Sequence, residues 1–190
     1  MAVQLVIESP DLKMVQRILK GVASDKAPQR AISDAINRGL LAGRTAATRG
    51  VRRRYNIGSA DAKSTFDMKK ASWTSLEGHL SFKGPMLPID LFKPTVRLKR
   101  TVRRGPRRHF VSVAIIKGNR KMVTGAFQTP GGIMERKQAD RYPIFKVMTI
   151  GMPSMTRQTG IANDTLYRME EIYNSRLEQN INAFLTGARR

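Results

Sequence analysis

Apolar residues recur along the chain with two different periods, and the changes between them mark out the elements. Residues 2–7 (AVQLVI) make a short apolar run closed by Ser9-Pro10-Asp11. Ser9 at the cap, Pro10 in the first helical position and Asp11 beside the positive helix end open a helix that reaches about residue 22. Leu12, Val15, Ile18, Leu19 and Val22 give it an apolar stripe at three- and four-residue steps. A second helix is predicted over 28–54, with Ile32, Ala35, Ile36, Leu40, Gly43, Ala47 and Val51 at helical spacing. That stripe is rich in Ala and Gly, which allows close approach of a helix or sheet. At 1.5 Å per residue the helix is about 40 Å long, more than a small domain needs. Its arginine-loaded end is therefore expected to project towards a neighbouring subunit. Asn56-Ile57-Gly58 stops it, and Ser59 is predicted to cap a third helix over 60–71.

From Trp73 the period drops to two. Leu76, Gly78, Leu80 and Phe82 alternate with Glu77, His79, Ser81 and Lys83, the pattern of an antiparallel strand. Pro85 and Pro88 mark a turn. Residues 95–103 and 109–117 read as two strands joined by 104–108. Val96 and Leu98 face one side of the first, with Arg97, Lys99, Thr101 and Arg103 on the other. The Gly118-Asn119-Arg120 turn, residues 122–128 and Gly131-Gly132 continue in short strands and loops. A last helix runs over 161–185 with Leu166, Met169, Tyr173, Leu177, Ile181 and Phe184 in one stripe, and Gly187 ends it. The stripe is read as a subunit interface. The fold class is α+β: an antiparallel sheet packed with a long helix in the N-terminal half and a C-terminal amphipathic helix. A basic hairpin extension protrudes over 95–117. A length of 190 residues fits one domain over 1–190.

Composition narrows the chemistry. The chain has no Cys, which excludes disulfide scaffolds, thiolate zinc sites and cysteine nucleophiles. Its two histidines, His79 and His109, are too far apart in sequence to pair on one helix. No run approaches the roughly 18 apolar residues of a membrane span, and no leader pattern opens the chain, so a cytoplasmic origin is expected and no membrane partner. Asp11 with Glu135 and Lys137 is the one nuclease-like set with the residue types that hold Mg²⁺, but its halves lie far apart and Asp11 already serves a helix N-terminus. Gly131-Gly132 is not followed by Gly-Lys-Ser/Thr, so no phosphate loop of that type is present. The reading is of a protein that is not an enzyme and takes no cofactor and no metal.

Charge changes the picture most. Thirty-five Lys and Arg stand against 14 Asp and Glu, a formal net charge of +21 that calls for a polyanionic partner. Two windows hold 18 of the 21 charges. Residues 30–54 carry seven bases against Asp34, and residues 97–146 carry fourteen against Glu135 and Asp140. The remainder is close to neutral, as for an ordinary protein-packing surface. Seven of the twelve residues 97–108 are Lys or Arg, a density suited to phosphate contacts. Phe110 is the only aromatic in or beside that run, fewer than base-stacking readers use. Any DNA contact is therefore expected to be with the backbone and without sequence preference. The contact residues are Arg97, Lys99, Arg100, Arg103, Arg104, Arg107 and Arg108 in the hairpin, with Arg49, Arg52, Arg53 and Arg54 at the helix end. The same residues also suit an acidic protein neighbour.

The order of motifs adds an expectation of a different kind. The segment 31–57, an Ala/Arg helix finishing in Arg53-Arg54-Tyr55-Asn56-Ile57, resembles the bacteriophage minor tail protein Z family of tail completion proteins. The likeness continues through Gly84-Pro85-Met86-Leu87-Pro88-Ile89-Asp90-Leu91-Phe92, Gly125-Ala126-Phe127, and a glycine pair with Ile133-Met134-Glu135-Arg136. It then takes in Pro143-Ile144, Gly151-Met152-Pro153-Ser154-Met155 and the C-terminal helix, covering roughly 28–185. Met134-Glu135 departs from the valine and aromatic more usual there. The resemblance implies a structural virion protein with no enzymatic activity and no cofactor, which completes the head-proximal end of the tail and helps it join the head around the DNA channel. Combined with the charge, it predicts a homo-oligomeric ring, a hexamer being one candidate, at the tail–neck junction and in the host cytoplasm during assembly. Its neighbours would be other phage tail and neck proteins and the backbone of double-stranded DNA. The competing class is a free, sequence-nonspecific nucleic-acid-binding protein of ribosome or nucleoid type.

Overall fold

The computed structural model describes residues 3–8, 12–19, 26–82, 84–100, 107–138, 140, 142–157 and 160–187. The chain begins with β1 (Val3–Glu8), α1 (Leu12–Leu19), α2 (Ala27–Arg54), α3 (Ser59–Ser64), β2 (Phe66–Lys69) and β3 (Glu77–Phe82). A 3₁₀ turn (Ile89–Phe92) leads to β4 (Thr95–Arg100), β5 (Arg107–Val113), β6 (Lys121–Val123), β7 (Ala126–Thr129), β8 (Gly132–Arg136) and β9 (Ile144–Lys146). Two helices close it, α4 (Met152–Arg157) and α5 (Ile161–Leu185). The class is α+β, as the periodicities require. The predicted cap Ser9-Pro10-Asp11 and the helix end near Val22 lie outside the described residues.

The centre is an antiparallel pair of long helices. Pro28 sits in the first turn of α2, where its missing N–H is no loss. From there Ala31, Ile32, Ala35, Ile36, Leu40, Ala47 and Val51 are fully buried. Each large aliphatic among them contributes about 2 kcal/mol of burial. Helix α5 answers with Ile161, Thr165, Met169, Tyr173, Leu177 and Phe184, all buried at steps of three or four residues when Asn180 is included. The direction is fixed by three contacts. Asn180 Nδ2 donates to the Ala31 carbonyl at 2.9 Å. Gly43 faces Met169, and Gly50 faces Ile161. The Ala/Gly stripe therefore does what its sequence suggests and lets the helices close. Gly187, at φ +70°, ends α5 as predicted.

Among the described residues the strands form three antiparallel three-stranded sheets rather than one, in the orders β1-β3-β2, β4-β5-β6 and β7-β8-β9. The first packs on α2, with Leu80 and Phe82 of β3 buried and Gly78 facing Ile36 and Leu40. The predicted helix over 60–71 is corrected here. Only Ser59–Ser64 is helical, with Gly58 rather than Ser59 at the cap position, and Phe66–Lys69 is an edge strand of that sheet. Phe66 is the reason: its ring stands edge-on to Phe82 at 5.3 Å, and β2 pairs with β3 in the register Phe66↔Phe82. Asn37 ties the following loop to α2, donating to the Ala71 carbonyl at 3.0 Å and accepting its N–H at 2.9 Å.

Candidate polyanion-binding face

Both basic windows meet at the end of α2. After Arg54 the chain turns extended at Tyr55 (φ −106°, ψ 150°), whose side chain is buried while its backbone bridges Ile116. The Asn56 N–H donates to the Ile115 carbonyl and the Lys117 N–H to the Arg54 carbonyl, both at 2.9 Å. Asn56 Nδ2 reaches the Phe92 carbonyl at 3.1 Å. This short ladder fastens the arginine end of α2 to the segment leaving β5, so Arg52, Arg53 and Arg54 are exposed beside an exposed Lys117. Cations at a helix C-terminus are also favoured by the helix dipole.

Before that junction β5, Arg107–Val113, spans about 20 Å at 3.3 Å per residue. The register is Thr95↔Ser112, Val96↔Val111, Arg97↔Phe110, Leu98↔His109, Lys99↔Arg108 and Arg100↔Arg107. Alternation puts Thr95, Arg97, Phe110 and Ser112 on one face, as the sequence predicts for Arg97, and Val96, Leu98, Val111 and Val113 on the other. The apolar face is anchored at its root, where Val111 and Val113 are buried, and uncovered towards the tip, where Leu98 is 56% exposed. Arg97 is exposed. Lys99, Arg100, Arg107 and Arg108 belong to the paired strands, while Arg103 and Arg104 lie outside the described residues.

The ion pairs Lys146–Asp90, Arg168–Glu171 and His79–Glu77 lie elsewhere, and among the described residues no carboxylate pairs with Arg49, Arg52, Arg53, Arg54 or Arg97. Two further arginines extend the basic end of α2 along its outer ridge, where Arg30, Asp34, Arg38, Leu41, Thr45 and Arg49 are exposed at three- and four-residue steps. The sequence carried that signal, since these positions are out of phase with the buried stripe. Arg120 is a second omission. It reaches back from the turn after β5, its Nη1 donating to Thr95 Oγ1 at 2.6 Å and Ser112 Oγ at 3.3 Å. Only the fold brings those three together.

The α5 stripe has a different role from the one predicted. Met169, Tyr173, Leu177 and Phe184 are buried within this chain, and Leu166 and Ile181 are half-buried. The four buried side chains belong to this molecule's own core and Ile181 packs against it, so these five serve the fold rather than a subunit surface. The outer face of α5 carries Arg168–Glu171 and Arg176–Gln179 contacts, with Tyr167 exposed beside them. Of the set Asp11, Glu135 and Lys137, Lys137 Nζ sits 4.9 Å over the Phe145 ring, and Asp11 lies outside the described residues.

The motifs that carry the family resemblance fold onto one another. Asp90 Oδ1 accepts the Ile133 N–H at 3.0 Å, and its other oxygen lies 3.5 Å from Lys146 Nζ. Gly132, at φ +115°, leaves the room Asp90 needs, because a Cβ there would meet Asp90 Oδ2 at 2.5 Å. The Ile89 N–H donates to the Val147 carbonyl, and the Thr149 N–H to Leu87 at 2.7 Å. A Cβ on Gly151 would come within 3.0 Å of the Pro85 carbonyl oxygen. Segments 84–92, 132–136 and 144–151 thus form one hydrogen-bonded unit around Asp90. Among the described residues no cluster of His, Cys, Asp or Glu suits a metal ion, and no helix is long and apolar enough to cross a membrane. No family model, curated protein or solved structure matches the chain.

Proposed function

We propose that the chain is a structural virion protein of a tailed bacteriophage that completes the head-proximal end of the tail and helps join it to the head. The observation that carries the reading is the junction of the two basic windows at Arg54 and Lys117, on a chain that is otherwise near neutral. Positive charge confined to particular faces suits contact with a DNA backbone, and the near-neutral remainder suits packing against protein. The ordered motifs resembling the minor tail protein Z family support the same role, and the hydrogen bonds that gather several of them around Asp90 support a structural part for them. Several copies form a ring in this reading, with the hairpin and the end of α2 turned to the DNA channel or to an acidic neighbouring ring. At +21 per copy such a ring repels itself until a polyanion or acidic protein offsets the charge.

The test is complementation of a phage lacking this gene with the variant Arg97→Gln, Lys99→Gln, Arg100→Gln, Arg103→Gln and Arg104→Gln. The variant is expected to fold and to leave heads and tails unjoined or DNA poorly retained. Normal particles with full infectivity refute the role assigned to the hairpin.

A further inference from the structure

The polar face of the β4–β5–β6 sheet holds a groove of about 490 Å³ lined by Thr95, Arg97, Phe110, Ser112, Arg120 and Met122. We propose that this groove is a clamp for one backbone phosphate of a nucleic acid, with Arg120 and Arg97 as its two jaws. The inference rests on reading the basic face as a polyanion surface and names its ligand and the residues that hold it.

Arg120 is preorganised. Its Nη1 is fixed over the sheet by Thr95 Oγ1 and Ser112 Oγ, which are register partners across β4 and β5. Those bonds use one end of the guanidinium and leave Nη2 and Nε to a ligand. Arg97 is the next residue along the same face, about 7 Å away along the strand, and forms no hydrogen bond or ion pair among the described residues. Phe110, opposite Arg97, supplies an apolar floor that excludes water from one side of the jaws.

Thr95 and Ser112 each accept from Arg120 through oxygen, so each keeps its own O–H to donate outwards. Two forked guanidiniums and two hydroxyls converge on one groove, enough donors to surround the two free oxygens of a phosphodiester. The ligand is chosen by the surroundings: the same hairpin carries seven Lys and Arg in residues 97–108, a density that suits the regularly spaced charges of a nucleic-acid backbone.

The experiment measures binding of the full chain to a short labelled DNA duplex of arbitrary sequence by fluorescence anisotropy across a salt series. Inorganic phosphate and polyglutamate serve as competitors at constant ionic strength. The wild type is expected to bind the duplex, and Arg120→Gln is expected to lower the log–log salt slope by about one and the affinity about tenfold. The paired variant Thr95→Val with Ser112→Ala leaves the charge unchanged and suits a strand. It is expected to weaken binding about threefold by releasing Arg120, an effect that charge alone does not produce. Arg120→Lys, which keeps the charge and loses the fork, is expected to fall between the two.

If the wild type binds the duplex and the Thr95/Ser112 variant binds equally well, the clamp is overturned while the polyanion face stands. If polyglutamate binds and the duplex does not, both the clamp and the DNA-facing reading are overturned in favour of an acidic protein. If inorganic phosphate occupies the groove in an Arg120-dependent way while duplex affinity ignores Arg120, the ligand is free phosphate and the proposal also fails.

Discussion

Replacing Gly43 by alanine places a methyl group where α2 and α5 touch. A Cβ built there lies 2.5 Å from Met169 Sδ and nearer still to Met169 Cγ, with Leu80 Cδ2 at 3.4 Å on another side. Ordinary contacts between such atoms are about 3.5–4.0 Å, so the overlap is on the order of 1 Å. Met169 is fully buried among the other core side chains. In an exposed helix the same change gains about 1 kcal/mol, because alanine is the better helix former. Overpacking a closed core costs about 1–3 kcal/mol. The expected outcome of Gly43→Ala is therefore a net loss of about 1 kcal/mol, read by urea denaturation with circular dichroism. Met169→Ala alone leaves a cavity and costs about 2–5 kcal/mol. In the double variant the new methyl occupies part of that cavity, so the two losses fail to add by about 1 kcal/mol or more. A Gly43→Ala protein more stable than wild type, with an additive double variant, refutes the close packing of these helices and with it the seat that carries Arg52, Arg53 and Arg54.

Gly78→Val is expected to cost about 1–3 kcal/mol in the same assay, since a Cβ there meets Ile36 Cγ2 at 2.5 Å and Leu40 Cδ1 at 2.8 Å. Asp90→Ala strands the Ile133 N–H and releases Lys146, for an expected loss of about 1–3 kcal/mol and faster amide exchange at Ile133 and Val147. Unchanged exchange there contradicts the placing of Asp90 at the centre of its unit. Gln at Arg52, Arg53 and Arg54 together is expected to leave thermal stability nearly unchanged while weakening assembly with the partner structure, because these side chains are exposed and make no ion pair among the described residues. A large fall in thermal stability shows instead that they serve the fold.

The long helices and the basic hairpin were legible because each writes a local pattern. The four-residue steps of α5 and the Ala/Gly stripe of α2 need no knowledge of the rest of the chain. Residues 65–71 misled for the opposite reason. Ala, Met and Lys there favour a helix, but pairing of Phe66 with Phe82, sixteen positions on, decides for a strand. The partner of α5 was hidden too. An amphipathic stripe states that a face is covered and not by which molecule, and here the cover is α2, through Gly43 and Gly50. At the candidate face, Arg97 and its alternation could be read from the hairpin, whereas the seat of Arg120 depends on Thr95, twenty-five positions away. The division of the strands into three sheets is tertiary in the same sense.

The central claim is that this chain is a stoichiometric part of a virion neck. Quantitative mass spectrometry of purified particles from cells infected by the parent phage tests it most directly. The account predicts several copies per particle, co-purifying with tails in high salt. Absence from particles, with the chain recovered from the host extract on bulk nucleic acid in a salt-labile form, contradicts it and favours a free nucleic-acid-binding protein.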